Sequence, residues 1–557
     1  MSVFYTELQK YNSKNQNPKH WFYIPYDQLS DDMGPLSRIA PQDVGIILIE
    51  STYKASRRPY HKQKLAYVLC NGRHFALEQA KRGVHVKHIV TDKSFGMALR
   101  ECGIPKITMM RPAERELRAD LSTLVQDNRI HVIPHEGWLT QKEDLTVSVS
   151  PHPPWRMDRF YQNLRKKTRI LMDESGSKPM GGKYSFDAEN RQPWNGTPSA
   201  PTFPTFDVDP IKAEVAELIS SVFSHHPGNL DISTVPATKK EVFELWNWIC
   251  QNCLEHFGTY EDAMSTKSSS LFHTRISPLL NIHRITPQQI LDDVVKLDIP
   301  LNSKEGFVRQ ILGWREFMYQ IHEVTDGFRK IPHREGTEHI DIYSEVQPLI
   351  PNWTPVSQQK SDSKYIDGGS CINKLSYKTP LPEAFWTGNS GMFCLDHVVQ
   401  QVMREGYTHH IPRLMVLANI ATLLEITPRE ITDWFWVSFV DAYDWVVEPN
   451  VLAMGTFATD EILSTKPYVA GSGYIQTMSD YCKQCAFHPK KTCPLPRLYW
   501  AYLERHQERF QNNFRMKMVL STLKKRSTEK KIEDQSYFTI TTQTLSQGKS
   551  IHPSNFS

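Results

Sequence analysis

The sequence predicts an N-terminal α/β domain on a parallel, doubly wound sheet, followed by a mainly α-helical C-terminal domain. Three observations predict it. Strand-like and helix-like segments alternate up to about residue 140, which argues for a parallel sheet. Proline and glycine then punctuate residues 141–235. From about 236 onward the apolar residues recur at helical intervals. With 557 residues, 39% of them hydrophobic, the chain is long enough for two or three cores.

In the first part, HWFYIPYDQL, DVGIILIE, VHVKHIVTD, KITMMRP and RIHVIPHE are short runs rich in β-branched and aromatic residues, and read as strands. HKQKLAYVLCNGRHFALEQAKRG lies between the second and third and reads as a helix stopped at Gly83. No G-x-G-x-x-G follows a strand, so a dinucleotide fingerprint gives this domain no support. Residues 141–235 (SPHPPW, SKPMGGKY, RQPWNGTPSAPTFPTFDVDP) read as a linker wrapped on the surface around one helix, RFYQNLRKKTRILMDE.

The helical part spans 236–525. Thr286-Pro287-Gln288-Gln289 and Thr427-Pro428-Arg429-Glu430 both predict a capping box with Pro at the first helical position. LDHVVQQVMREGYTHHIPRLMVLANIATLLE holds Gly406 and Pro412 and reads as two helices. A polar insertion, VSQQKSDSKYIDGGSC, falls within about 325–380, and residues 526–557 read as a loosely ordered tail.

Charge and cysteine usage narrow the class. The net charge of +4 says little about a polyanionic partner. From Ala501 to Ile532, however, nine Lys/Arg stand against three Glu, which is either a solvated helix face or a phosphate-contacting one. The N-terminus lacks the apolar core of a signal peptide, and no run of about 18 apolar residues predicts a membrane span. Nine cysteines without an export signal point to a reducing, cytoplasmic setting.

Three of those cysteines stand close together, Cys482, Cys485 and Cys493, in YCKQCAFHPKKTCP. A C-x-x-C turn lets two thiolates converge, and soft thiolates suit zinc or an iron–sulfur cluster. The fourth ligand must come from elsewhere. Cys250 and Cys253 sit mid-helix, where packing is the simpler role, and Cys371 lies in the insertion. Cys70 and Cys102 belong to the α/β part. Cys394 opens a helix after Gly391 and is favoured on chemistry. Spacing does not separate zinc from a four-iron cluster, and His488 keeps a Cys3His zinc site open.

MSDYCKQCAF, CPLPRLYW, GYTHHIPRLMVL, FVDAYDWVVEPN and EGFVRQILGWREF together resemble the iron–sulfur bacterial cryptochromes and photolyases, the prokaryotic (6-4) photolyase branch of that superfamily. The resemblance extends from about residue 20 to 505 and includes RFYQNLRKKTRILM and GGKYSFDAENRQP. It implies a Rossmann-like N-terminal domain, FAD in the helical domain, and a [4Fe–4S] cluster on Cys394, Cys482, Cys485 and Cys493. It implies flavin contacts from Tyr260, His273, Thr274, Ser277, Gln310, Trp314, Arg315, Asp441 and Asn450. Each of these has an ordinary packing or capping role as its bland alternative.

The same resemblance implies UV-damaged DNA as the partner, a monomer, and light-driven electron donation to a flipped-out lesion. His409, His410 and Tyr468 match lesion-side positions, and a (6-4) lesion calls for a proton donor near neutrality. Two adjacent helical residues point about 100° apart, so the two histidines do not both reach the lesion. Trp386 and Trp434 match an electron relay. Phe435 follows where Tyr is expected, which leaves either a direct hop or a route through Trp436 or Trp445. Such proteins often carry a ribityl-lumazine antenna in the N-terminal domain. Here Tyr26-Asp27-Gln28-Leu29 replaces a Gly-Asp-Gln-Leu start, and Lys54 stands where an acid is common. Two other readings share parts of this pattern: a photoreceptor with the same cofactors and no repair, and a zinc-bearing nucleic-acid-binding protein without flavin.

Overall fold

The computed structural model describes residues 2–12, 18–342 and 368–556. Strands β1 (His20–Tyr23), β2 (Val44–Ser51), β3 (His85–Thr91), β4 (Ile107–Met110) and β5 (Ile130–Ile133) form one sheet in the order β3-β2-β1-β4-β5. Every neighbouring pair is parallel. The connection reverses direction between β1 and β4, so this is a doubly wound sheet, as the alternation predicts. The Lys62–Lys81 helix ends where predicted, with Gly83 at φ +96°.

The two faces of the sheet do different work. Tyr23, Ile47, Phe95, Leu99, Leu117, Leu121 and Leu124 close a small core on one face. Phe22, Ile46 and Leu48 on the other face join a core that continues without a break into the helical part. The α/β part is therefore welded to the helices by shared apolar burial.

The segment 141–235 does more than wrap the surface. Trp155, Met157, Phe160, Tyr161 and Leu164 are buried in the main core, and the Pro210–Val222 helix packs on the Lys62–Lys81 helix.

Two local expectations are corrected. Thr286 forms its capping box, accepting from Gln289 N while Gln289 Oε1 accepts from Thr286 N. Thr427 does not, because its hydroxyl donates to Thr379 O and Glu430 accepts from Leu381 N, a tertiary partner outbidding the local one. The expected loose tail is the Thr528–Ser546 helix, packed on the Pro494–Arg505 helix. Its inner stripe is Asp534, Tyr537, Thr541 and Leu545. Half of that stripe is polar, so hydropathy hides it. Asp534 is buried against Arg497 and Arg526.

Within the expected insertion, Lys330–His333 and Gly336–His339 pair as a hairpin. Of the polar run at 356–371, only residues 368–371 are among the described residues. Among the described residues no helix is long and apolar enough to cross a membrane.

Candidate active site and thiol cluster

Three π-helical segments meet inside the helical part: Arg309–Arg315, Pro412–Ala418 and Glu448–Gly455. A π-helical turn widens the backbone and re-aims side chains, and such turns concentrate at functional sites. They line two cavities. The smaller, about 240 Å³, brings together His273, Thr274, Ser277, Gln310, Trp314, Arg315, His409, His410, Asp441 and Asn450. The larger, about 600 Å³, is lined by Asp158, Asp187, Asp262, His410, Phe435, Phe439, Tyr468 and Tyr474, among others. Gln310, Trp314, His410, Arg413, Val446 and Asn450 border both, so the cavities adjoin. Tyr260 is not brought to either. It stacks on Phe272, and its hydroxyl donates to Thr197 O.

The polar wall of the smaller cavity is pre-set. Arg413 holds Asp441 through two bonds of 3.0 Å, and Ser277 Oγ donates to Asp441 Oδ2 at 2.6 Å. Burial would raise the Asp441 carboxyl, but Arg413 outweighs it and keeps it below the usual range. Arg315 lies 4.0 Å over the Trp138 ring and is paired with Glu316 at 3.1 Å. Burial lowers its guanidinium to about 10. Glu316 in turn accepts from Leu139 N, Thr140 N and Thr140 Oγ1, which ties this wall to the α/β part.

The histidines divide their work. His273 and His409 stack face to face, centroids 4.0 Å apart, and burial pushes both well below the ordinary imidazole value. His410 stands 71° from His409 and is the one that faces the larger cavity. His410 is exposed to the cavity rather than buried like the other two; crowding by surrounding protein lowers its imidazole to about 4, with Asp262 pulling it up and Arg309 and Arg413 pushing it down. His273, His409 and His410 also offer ligand atoms within 4.8 Å of one another. The stacked pair directs its lone pairs in parallel planes, which is poor geometry for one shared ion.

The walls fit FAD. Trp314, Trp445, Phe257 and Phe307 suit a planar ring, and hydroxyls and amides suit a polyol. Arg315 Nε and His409 Nδ1 are buried in the wall without a protein partner. The residues missed in the sequence lay inside quoted motifs. Glu261 and Asp262 follow Tyr260 in FGTYEDAM, and Arg413 follows the histidine pair. Asp187 and Arg191, from the supposed linker, also line the larger cavity.

Trp386 and Trp434 have ring centroids 6.4 Å apart. Phe435 and Phe439 are stacked 5.1 Å apart and separate Trp434 from the larger cavity. Of the other indoles, Trp436 lies under Arg58 at 4.0 Å. Trp445 reaches Trp138 at 4.9 Å, and Trp138 stacks on Tyr319 at 3.6 Å. A positive hole on Trp138 would face the Arg315 guanidinium, a cost of about 4 kcal/mol at an effective dielectric of 20, before Glu316 offsets part of it.

The residues of the α/β part do not fit a ribityl-lumazine at the departing positions. Lys54 sits between Glu114 and Glu116, at 3.1 and 2.5 Å. Tyr26 fills the space between Phe95 and Tyr443. Only about 20 Å³ of cavity remains beside Tyr53, Lys54 and Phe95, far below the roughly 300 Å³ at which ligand pockets begin.

Cys394, Cys482, Cys485 and Cys493 line one small cavity of about 20 Å³, floored by Met392, Ile475, Tyr481 and Phe487. His488 is exposed and does not line it. Burial and then the neighbouring sulfurs raise Cys394 well above the ordinary thiol value, and burial raises Cys493 to about 12. Thiolates held this close require a cationic centre. Tetrahedral zinc at about 2.3 Å from sulfur needs sulfurs about 3.8 Å apart. Four thiols around one apolar cavity suit either a single zinc ion or a multi-iron cluster.

Comparison with known proteins places this geometry. Residues 22–234 match the model of the deoxyribodipyrimidine photo-lyase-related proteins. A (6-4) photolyase of Agrobacterium fabrum is 29% identical over 526 residues, covering 89% of this chain and 94% of that protein. The crystal structure of a bacterial class III photolyase from Agrobacterium tumefaciens aligns with a TM-score of 0.47 at 16% identity, over 78% of this chain and 79% of the other. A cryptochrome from Synechocystis aligns with a TM-score of 0.49 at 14% identity, over 80% and 84%. The chain is thus similar over most of its length to a bacterial (6-4) photolyase, and over residues 22–234 to the deoxyribodipyrimidine photo-lyase-related proteins.

Proposed function

We propose that this protein is a light-driven DNA-repair lyase acting on a (6-4) pyrimidine photoproduct. In this reading FAD occupies the smaller cavity, the extruded lesion the larger one, and a [4Fe–4S] cluster the four cysteines. The single observation that carries the reading is that the two cavities adjoin, with His410 lining both. Bound FAD, reduced and excited, supplies an electron to the lesion.

The chain's own residues do the rest. Trp314 and Arg413 line both cavities and would set how closely cofactor and base approach. His410 holds or gives the proton that a group transfer between bases requires. Tyr468 lines the far wall. The named (6-4) photolyase relative supports the choice of lesion. All nine cysteines are free, which suits the reducing cytoplasm.

The test is to illuminate reduced holoprotein with an oligonucleotide carrying a (6-4) lesion, and in parallel one carrying a cyclobutane dimer. Restored thymines are expected from the first. No turnover on either substrate would sink the reading in favour of a photoreceptor with the same cofactors.

The cluster makes a separate prediction. Cys394→Ser replaces the most buried thiol and is expected to take iron and acid-labile sulfide from four of each per chain to near none. The broad visible absorption should disappear with them. Full iron content in that variant, or one zinc per wild-type chain, would overturn the assignment.

A further inference from the structure

The most exposed large apolar side chains of the protein are Phe514 and Met518, each 80% exposed. They lie four residues apart across the junction of the Phe514–Met516 turn and the Lys517–Lys524 helix, and so share one side. Leaving a Phe and a Met in water forgoes about 2 kcal/mol each. Such a pair marks a contact surface when a partner chemistry is evident around it.

Here the surroundings are basic. No Asp or Glu occurs between Arg509 and Thr528. Arg515, Lys517, Lys524 and Lys525 pair with no carboxylate among the described residues, and Lys517 Nζ lies 5.3 Å over the Phe514 ring. The basic run first noted between 501 and 532 thus surrounds an apolar tip.

Its placement matters as much as its chemistry. Asn513 is buried and pins the turn to the rim of the larger cavity. Its amide donates to Thr465 O and Glu461 Oε1, both at 2.8 Å, and its carbonyl caps Arg515 N. Thr465 lies three residues before Tyr468, which lines that cavity. Arg156, beside the cavity residues Met157 and Asp158, donates to Glu461 O on the same rim. Arg515 is near enough to act electrostatically on both Arg156 and Tyr468.

We propose that Phe514 and Met518 form a wedge that enters the base stack of duplex DNA beside the extruded lesion, with Arg515 and Lys517 on the flanking phosphates. Apolar side chains inserted between base steps hold a kinked, unstacked duplex, and cations on the phosphates position them. An extruded lesion leaves a gap in the stack, and Phe and Met are shaped to occupy it. The wedge rests on the repair reading for its substrate.

The experiment uses full-length holoprotein and labelled DNA in three forms: a duplex with one (6-4) lesion, the undamaged duplex, and the lesion in single strand. The double variant Phe514→Ala/Met518→Ala is expected to bind the lesion duplex about ten- to hundredfold more weakly, the loss of one or two base stacks. Binding to the single strand, which has no gap to fill, should not change. Phe514→Trp should retain duplex binding. Unchanged duplex affinity in the double variant, or equal losses on single strand and duplex, would overturn the wedge. So would a Phe514-dependent attachment to anionic lipid vesicles with no effect on DNA.

The two readings fail differently. Phe514-dependent duplex binding without thymine release on illumination keeps the wedge and sinks repair. Repair at wild-type KM by the double variant keeps repair and sinks the wedge. Absence of any lesion-DNA binding sinks both.

Discussion

His410→Ala is expected to lower (6-4) repair by about 10²- to 10⁴-fold, the range for losing a positioned proton donor, while the protein keeps its FAD. His410 is the histidine that lines both cavities, whereas His409 lines only the smaller one and is packed against His273. The pH profile separates a proton donor from a packing role. With the imidazole held at about 4, His410 is neutral at pH 7. If its protonated form gives the proton, kcat/KM should rise about tenfold per unit as pH falls from 8 toward 5. His410→Asn should be both slow and flat over that range. His409→Ala should cost less, and should act through the seating of His273 and the cofactor. Wild-type repair by the His410 variants, or a wild-type profile flat from 8 to 5, would remove His410 from the chemistry.

The legible parts of this protein were those set by periodicity and by local chemistry. β1 to β5 were each visible as a short apolar run, because a sheet buried on both faces needs such strands. Cys394, Cys482, Cys485 and Cys493 could be grouped from thiolate chemistry and motif order before the structure brought them to one cavity. What escaped depended on distant partners. No sequence pattern announces the three π-helical segments, since each is a register shift stabilised by the cavity it builds. Thr427 carries a complete capping-box sequence, yet Thr379 takes its hydroxyl. The Thr528–Ser546 helix was hidden because Asp534 and Thr541 occupy inward positions that hydropathy assigns to solvent. Asp187 and Arg191 sit in a proline-rich stretch whose composition says loop and nothing about the cavity it reaches.

Glu448→Ala is expected to destabilise the fold by about 3–5 kcal/mol, the usual cost of stripping one partner from a buried charge network. Glu448 is fully buried. It accepts from His322 Nε2 at 3.0 Å, Arg429 Nη1 at 3.0 Å, Arg329 Nη1 at 3.4 Å and Ser370 N at 3.4 Å. Arg329 and Ser370 flank residues 343–367, while Arg429 sits on the helix of Trp434 and Glu448 opens the π-helical segment of Asn450. One carboxylate therefore holds both ends of the insertion against the wall of the active site. Burial alone would raise this carboxyl, but Arg329, His322 and Arg429 outweigh it and hold it far below the usual range. A carboxyl depressed in the folded state stabilises most above its unfolded value of about 4.3, and that contribution is lost as pH falls toward the folded value. The stability gap between wild type and Glu448→Gln should accordingly be level from pH 8 to about 6 and narrow progressively below about 4. Urea midpoints of the two proteins across that range measure it. A level gap down to pH 3, or a loss under about 1 kcal/mol in the Ala variant, would mean that the cations find other partners and that Glu448 does not anchor the wall.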